Sequence, residues 1–156
     1  MAKKEKNYHL KIPSRTDDLE VIRDFVASVA KKVGFDGDEV NKIELAVDEA
    51  CTNVIEHAYQ YDVKKNIDIA IKIDYNKFTV VVTDRGKGFN MQDVELPDMK
   101  SYLAEIRVGG LGIYLMKQLM DEVDYHSGPG GKNEVRMVKY FLKDGKKKER
   151  KTKQKK

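Results

Sequence analysis

The sequence predicts a two-layer α+β sandwich, in which a mixed, mostly antiparallel β-sheet carries its helices on one face. Two observations indicate this class. Apolar residues recur at helical spacing early in the chain and alternate at strand spacing in its middle, giving the order β-α-α-β-β-lid-α-β-β. The chain has 156 residues and no internal repeat, which suits one domain with a real core.

The first quarter of the chain predicts one strand and one helix. Tyr8, Leu10 and Ile12 alternate with polar neighbours, as in a half-buried strand. A helix follows and stops at Gly34, because glycine is the usual residue beyond a helix end. Its apolar stripe consists of Leu19, Ile22, Val26, Val29 and Val33.

A second helix begins after Gly34. Asp36 followed by Glu39 resembles a capping box, which satisfies free backbone N–H groups at a helix start. The predicted core stripe of this helix consists of Val40, Ile43, Val47, Ala50, Val54 and Ala58.

The second half of the chain predicts a hairpin, a lid, a helix and two closing strands. Strict alternation in residues 67–73 and 78–82, separated by Tyr75-Asn76-Lys77, predicts the hairpin. Residues 89–108 lack clear periodicity and contain Pro97, which favours a functional lid or a disordered stretch. We expect a helix from about Leu111 to Asp121 and strands at residues 123–126 and 135–141.

The formal charge of +4 comes from the end of the chain. Residues 143–156 carry nine Lys or Arg and two acids, a net charge of +7, so the rest carries about −3. We expect residues 1–7 to be a basic extension, 8–142 the folded domain and 143–156 a disordered basic tail. A nucleic-acid-binding role would rest on this tail alone, and we expect no direct sequence-specific nucleic-acid binding.

Cys51 is the sole cysteine and lies within a helical apolar stripe, which indicates a buried structural thiol. No apolar run approaches the roughly 20 residues of a membrane span. We therefore expect a soluble, cytoplasmic protein without membrane association.

Glu49 and Asn53 are the first pair of candidate functional residues. Four residues apart on the second helix, they lie about 40° apart on its surface and away from the core stripe. An amide oxygen suits a Mg²⁺ shell otherwise filled by phosphate and water, and a glutamate one turn earlier can polarise an attacking hydroxyl. Taken alone, the pair also matches an ordinary solvated helix face.

Asp84 is the second candidate. It ends an apolar strand and precedes Gly86 and Gly88, where a solvated turn is the alternative interpretation. A carboxylate in this position can accept a hydrogen bond from an exocyclic amine such as adenine N6. The two glycines would allow the backbone to approach the base edge without a Cβ atom in the way.

The segment Gly109-Gly110-Leu111-Gly112 leads into the predicted third helix. Free N–H groups and the helix dipole favour phosphate at a helix N-terminus. The segment is not a P-loop, which would need Gly-Lys-Ser/Thr, and no strand-Gly-x-Gly-x-x-Gly-helix unit accompanies it. Together the three segments predict an ATP site with Mg²⁺.

These segments resemble the boxes of the GHKL (Bergerat-fold) ATPases, in the small branch of anti-sigma-factor serine/threonine-protein kinases. Glu49-x-x-x-Asn53 matches the N box, Asp84-x-Gly86-x-Gly88 the G1 box and Gly110-x-Gly112 the G2 box. Leu119-Met120-Asp121-Glu122-Val123 is also typical of that branch. The resemblance covers roughly residues 8–142.

The resemblance implies a role for each matching residue. Asn53 is similar to the Mg²⁺ ligand, Glu49 to the general base and Asp84 to the adenine anchor. Gly86 and Gly88 correspond to the base-facing turn. The phosphate end of the lid corresponds to Gly109, Gly110, Leu111 and Gly112.

Two positions depart from the family pattern. The last strand of the family often begins with Gly-Thr, whereas this chain has Lys132-Asn133, so the threonine contact near the adenine is either absent or replaced by Asn133. Some members carry an arginine close before the G2 glycines. Arg107 is near that position but offset from it, so the resemblance leaves open whether it contacts phosphate.

The resemblance implies a homodimeric protein that sequesters a sigma factor and phosphorylates a serine of a small anti-sigma-factor antagonist. The alternative is a non-catalytic ATP-binding adaptor that regulates another partner. Glu49 favours the kinase, because an adaptor needs no general base.

Overall fold

A computed structural model describes residues 5–86 and 110–141 of the chain. Its sheet has five strands: β1 (Lys6–Pro13), β2 (Asn66–Asp74), β3 (Lys77–Asp84), β4 (Glu122–Ser127) and β5 (Asn133–Tyr140). They lie in the order β1-β2-β3-β5-β4, and all four pairings are antiparallel. The predicted α+β class with a mostly antiparallel sheet is confirmed.

The described residues form three α-helices: α1 (Leu19–Val33), α2 (Gly37–Asn53) and α3 (Gly110–Leu119). Helix α2 lies between the other two and contacts both, as well as β3. Short 3₁₀ turns at Thr16–Asp18 and Pro129–Gly131 complete the connections. The helix that carries Glu49 and Asn53 is therefore the middle one of the three helices in the described residues.

The predicted end of α1 and start of α2 are confirmed. Gly34 follows α1 with φ of 113°, in the left-handed region that side chains with a Cβ rarely adopt. The carboxylate of Asp36 accepts a 2.9 Å hydrogen bond from the N–H of Glu39 and so caps α2.

The core lies between one face of the sheet and the helices. Alternate residues of β2, β3 and β5 point into it, and the matching stripes of the helices meet them. The largest fully buried side chains are Phe78, Ile22, Ile43, Ile55, Ile67, Ile69, Ile71, Ile113, Met116 and Met137. Cys51 is also buried, as predicted, and its burial raises the pKa of the thiol.

The end of α2 and the start of β1 differ from the sequence-based expectation. Helix α2 ends at Asn53 and continues as a π-turn from Val54 to Ala58, whereas the apolar stripe predicted one helix through Ala58. A stripe of apolar residues does not distinguish an α-helix from a short π-turn, because both conformations can bury the same apolar side chains. Strand β1 begins at Lys6, within the predicted N-terminal extension. The predicted lid, at residues 89–108, and the tail lie outside the described residues.

A buried ion pair connects the helical layer to the sheet. Lys139 of β5 lies 3.1 Å from the carboxylate of Glu39, and both side chains are less than a tenth exposed. The same ammonium donates a 2.7 Å hydrogen bond to the carbonyl of Leu119, at the end of α3. One cation therefore joins β5 to the start of α2 and the end of α3.

Within residues 5–86 and 110–141, no helix is both long enough and apolar enough to cross a membrane.

Candidate nucleotide-binding site

Asp84 and Asn133 form the centre of the candidate site. They face each other on β3 and β5, and their exposed fractions are 5% and 1%. Oδ1 of Asp84 accepts hydrogen bonds from Nδ2 of Asn133, at 2.9 Å, and from the N–H of Gly86, at 2.8 Å. Within residues 5–86 and 110–141, Oδ2 of Asp84 accepts no hydrogen bond, so only one of the two carboxylate oxygens is used by these residues.

The side-chain amide of Asn133 is oriented by three contacts. Its Oδ1 accepts a 2.7 Å hydrogen bond from the hydroxyl of Ser127, and its Nδ2 also donates to the carbonyl of Gly86 at 2.9 Å. Asn133 therefore fixes both the Asp84 carboxylate and the turn that follows it. Ser127 was not among the predicted site residues, although its position directly before Gly128-Pro129-Gly130-Gly131 marks the end of a strand.

Burial raises the pKa of Asp84 above its ordinary value, because a carboxylate loses solvation there. The hydrogen bonds from Asn133 and Gly86 oppose this effect, since they stabilise the ionised form. The site therefore contains a buried and oriented carboxylate, and its hydrogen bonds only partly offset the cost of desolvating its charge.

Gly86 lies where a larger residue would not fit. A Cβ atom added to it would come within 2.3 Å of the carbonyl oxygen of Ala58 and 2.8 Å of the Tyr59 ring. The sequence suggested that this glycine makes room for a base. The structure shows a second reason for glycine at position 86, because a side chain there would collide with the π-turn at the end of α2.

Tyr59 is a further residue that the sequence did not indicate. It is 7% exposed, and its hydroxyl donates to the carbonyl of Asn66 at 2.7 Å and accepts from the N–H of Arg85 at 2.9 Å. Burial raises the pKa of this phenol, so it stays protonated and able to donate.

Glu49 and Asn53 are both half-buried and lie one turn apart on α2. Burial raises the pKa of Glu49, and the nearby charges of Asp48 and Glu56 raise it further. Asp48 is itself paired with Arg23 of α1 at 2.8 Å. A carboxylate with a raised pKa is a stronger base, which suits the predicted role of Glu49.

The third predicted segment is only partly described. Gly110 is the first residue of α3, and Leu111 and Gly112 belong to its first turn. The backbone at these positions therefore has the helix start that the sequence predicted. Gly88, Gly109 and Arg107 lie outside the described residues.

The described residues contain no group of three or more His, Cys, Asp or Glu side chains placed to hold a metal. Mg²⁺ that keeps water and phosphate ligands needs only one or two protein oxygens, and the Asn53 amide fits that requirement.

Comparison with known proteins shows which family the chain resembles in sequence. Residues 12–139 match the family model described as the histidine kinase-like ATPase domain. The chain is 34% identical to the serine-protein kinase RsbW of Bacillus subtilis (strain 168) over 139 residues, covering 85% of this chain and 84% of that one. It is 30% identical to RsbW of Bacillus thuringiensis (strain Al Hakam) over 148 residues, with 92% and 91% covered.

Two solved structures share the fold. The RsbU and RsbW domains of Rv1364c from Mycobacterium tuberculosis match with a TM-score of 0.61 and 18% identity, over 86% of this chain and 32% of that one. The SiaB–SiaC complex from Pseudomonas aeruginosa matches with a TM-score of 0.61 and 13% identity, over 84% and 88%. Since the family model matches residues 12–139, a range that includes Glu49, Asn53 and Asp84, the chain belongs to the histidine kinase-like ATPase domain family.

Proposed function

We propose that the protein is an ATP-dependent serine-protein kinase that phosphorylates a serine of a small anti-sigma-factor antagonist and also sequesters a sigma factor. The observation that carries the proposal is the buried Asp84 carboxylate, with one oxygen fixed by Asn133 and Gly86 and the other available to a ligand. The identity to curated RsbW kinases over most of the chain supports the reaction type.

The Asp84 carboxylate selects for adenine. Its available oxygen accepts a hydrogen bond, and adenine presents a donor amine at C6. Guanine presents a carbonyl there, so two acceptors would repel each other. Losing a hydrogen bond to a charged group costs about 1.5–3 kcal/mol, which corresponds to roughly 10- to 150-fold in affinity.

Glu49 accepts the proton of the attacking serine hydroxyl in the proposed reaction. Its raised pKa increases its basicity, while its half-buried position on α2 keeps it accessible to a substrate. Asn53 would hold Mg²⁺, which neutralises phosphate charge when bound. The glycine segment that leads into α3 offers backbone N–H groups to phosphate oxygens.

The proposed partners follow from the family resemblance. They are a small antagonist protein that carries the acceptor serine, a sigma factor, and a second copy of the chain in a homodimer. Such a system operates in the cytoplasm, where transcription occurs. The alternative is an adaptor that binds ATP but transfers no phosphoryl group. A measurement of kinase activity distinguishes it from the proposed kinase.

The test measures transfer of labelled γ-phosphate to candidate antagonist proteins, with ATP and GTP binding measured in parallel by calorimetry. Glu49→Gln should lose transfer by roughly 10²- to 10⁴-fold and keep ATP affinity. Glu44→Gln is the matched control, because Glu44 is also half-buried on α2 but lies outside the predicted site. Equal affinity for GTP would contradict the adenine site. ATP-dependent partner binding without any transfer would favour the adaptor.

A further inference from the structure

We propose that Tyr59 is a positioning residue of the nucleotide site, whose hydroxyl holds the turn after Asp84 against the end of the helix that carries Glu49 and Asn53. The inference rests on the proposed function, since it concerns the geometry of the same ATP site.

The π-turn gives Tyr59 its place. The N–H of Tyr59 donates to the carbonyl of Val54 at 2.8 Å, which is the i→i+5 pattern of a π-helix. The wider turn inserts one residue relative to an α-helix, so Tyr59 points in a different direction from the residues of a continued α2 stripe. Single π-turns occur frequently at functional sites.

The Tyr59 hydroxyl joins three elements. It donates to the carbonyl of Asn66 at the start of β2 and accepts from the N–H of Arg85 just after β3. A phenol has one hydrogen to donate and can also accept, and both capacities are used here. The π-turn, β2 and the turn after Asp84 are therefore held together through one oxygen atom.

The turn after Asp84 is fixed from two sides. Asn133 of β5 donates to the carbonyl of Gly86 at 2.9 Å from one side. On the other side, Gly86 lies so close to Ala58 and Tyr59 that it has no room for a Cβ atom. Tyr59 supplies the hydrogen bond on that second side, at Arg85.

This arrangement links the two ends of the proposed site. Asp84, the proposed contact to the base, directly precedes Arg85, whose N–H is bonded to Tyr59. Asn53 directly precedes the π-turn, and Tyr59 directly follows it. The Tyr59 hydroxyl therefore sets the spacing between the base anchor and the residues at the phosphate end. Without it, the Arg85 N–H loses its partner and the turn can relax away from α2.

Tyr59→Phe removes the hydroxyl and keeps the buried ring. We expect the Kd and KM for ATP to rise about 3- to 10-fold, as for loss of one neutral hydrogen bond, with kcat within about twofold. Tyr61→Phe is the matched control, because Tyr61 is 59% exposed and its hydroxyl interacts with Glu56 instead. This control should bind ATP like the wild type.

A double-mutant cycle separates positioning from general stabilisation. If Tyr59 acts through the turn that presents Asp84, Tyr59→Phe should change ATP affinity less than twofold in an Asp84→Asn background. It should retain its full effect in a Glu49→Gln background. A purely structural role would lower the melting temperature but leave KM unchanged well below the transition.

Two outcomes would overturn the inference separately from the proposed function. Wild-type ATP affinity in Tyr59→Phe, or an equal loss in the Asp84→Asn background, would reject positioning by Tyr59 and leave the kinase assignment standing. Failure of the wild type itself to bind ATP would reject both.

Discussion

Asn133 and Asp84 lie directly opposite each other on neighbouring strands, and Nδ2 of Asn133 donates to Oδ1 of Asp84 at 2.9 Å. The pair orients a carboxylate that burial makes costly to ionise, as the raised pKa of Asp84 indicates. The carboxylate accepts hydrogen bonds from Asn133 and Gly86, but a neutral amide could accept the same bonds at a lower cost of burial. A ligand amine that donates to the second carboxylate oxygen, as proposed above, would give the retained charge a function.

Asp84→Asn should weaken ATP binding by roughly 10- to 150-fold while leaving the ligand-free protein as stable as the wild type or more stable at pH 7. The folded-state pKa of Asp84 lies above the unfolded value of 3.8, so the folded protein binds the proton more tightly. Stability from this group is therefore lost as the pH rises above 3.8, and a neutral amide avoids that loss.

Calorimetry with ATP and thermal unfolding without nucleotide, both at pH 7, test this prediction. Asp84→Ala serves as the comparison, because it also removes the acceptor for Asn133 and Gly86 and should lower the melting temperature. A clearly less stable Asp84→Asn protein, or one with unchanged ATP affinity, would contradict the prediction.

The sequence predicted those features of the site that depend on local pattern. Spacing on a helix placed Glu49 and Asn53 on one side of α2, and strand alternation ended β3 at Asp84. Ser127 and Tyr59 were missed because their roles depend on contacts between distant segments. Ser127 acts through its pairing with Asn133 across β4 and β5, and Tyr59 acts through a π-turn that an apolar stripe does not reveal.

Gly86→Ala should abolish nucleotide binding and lower the melting temperature, because its Cβ would come within 2.3 Å of the backbone carbonyl of Ala58. Either the turn or the π-turn must move, and both belong to the proposed site. Gly37→Ala is the control, since nothing lies within 4 Å of the added Cβ and the residue begins α2. It should be neutral or stabilising by up to about 1 kcal/mol. Unchanged ATP affinity in Gly86→Ala would contradict the close approach of the two segments.

Lys139→Met should destabilise the fold by about 3–5 kcal/mol, because it removes the cation that lies 3.1 Å from the buried carboxylate of Glu39 and donates at 2.7 Å to the Leu119 carbonyl. Lys42 lies 3.5 Å from Glu39 but is more exposed and compensates less. Adding Glu39→Leu should recover much of the loss, since the pair is then replaced by apolar groups. Urea unfolding of the two variants measures both effects. A double variant no more stable than Lys139→Met would show that the buried charge is not the cause.

The kcat of phosphoryl transfer should rise with pH along an acid limb set by Glu49, whose pKa is raised by burial and by the charges of Asp48 and Glu56. A protonated Glu49 cannot accept the serine proton, so activity falls as the pH drops through that pKa. Glu56→Gln removes one of the two negative charges and should move the acid limb to lower pH. Because Glu49 stays half-buried in this variant, the apparent pKa of the acid limb should remain above the ordinary glutamate pKa of 4.5.

The measurement is kcat against pH at saturating ATP for the wild type, Glu56→Gln and the control Glu44→Gln. Glu44 is not among the groups that raise the pKa of Glu49, so its variant should follow the wild-type profile. An acid limb that Glu56→Gln leaves unmoved would mean that another group controls it. If the residual activity of Glu49→Gln retained the same limb, Glu49 would not be the base.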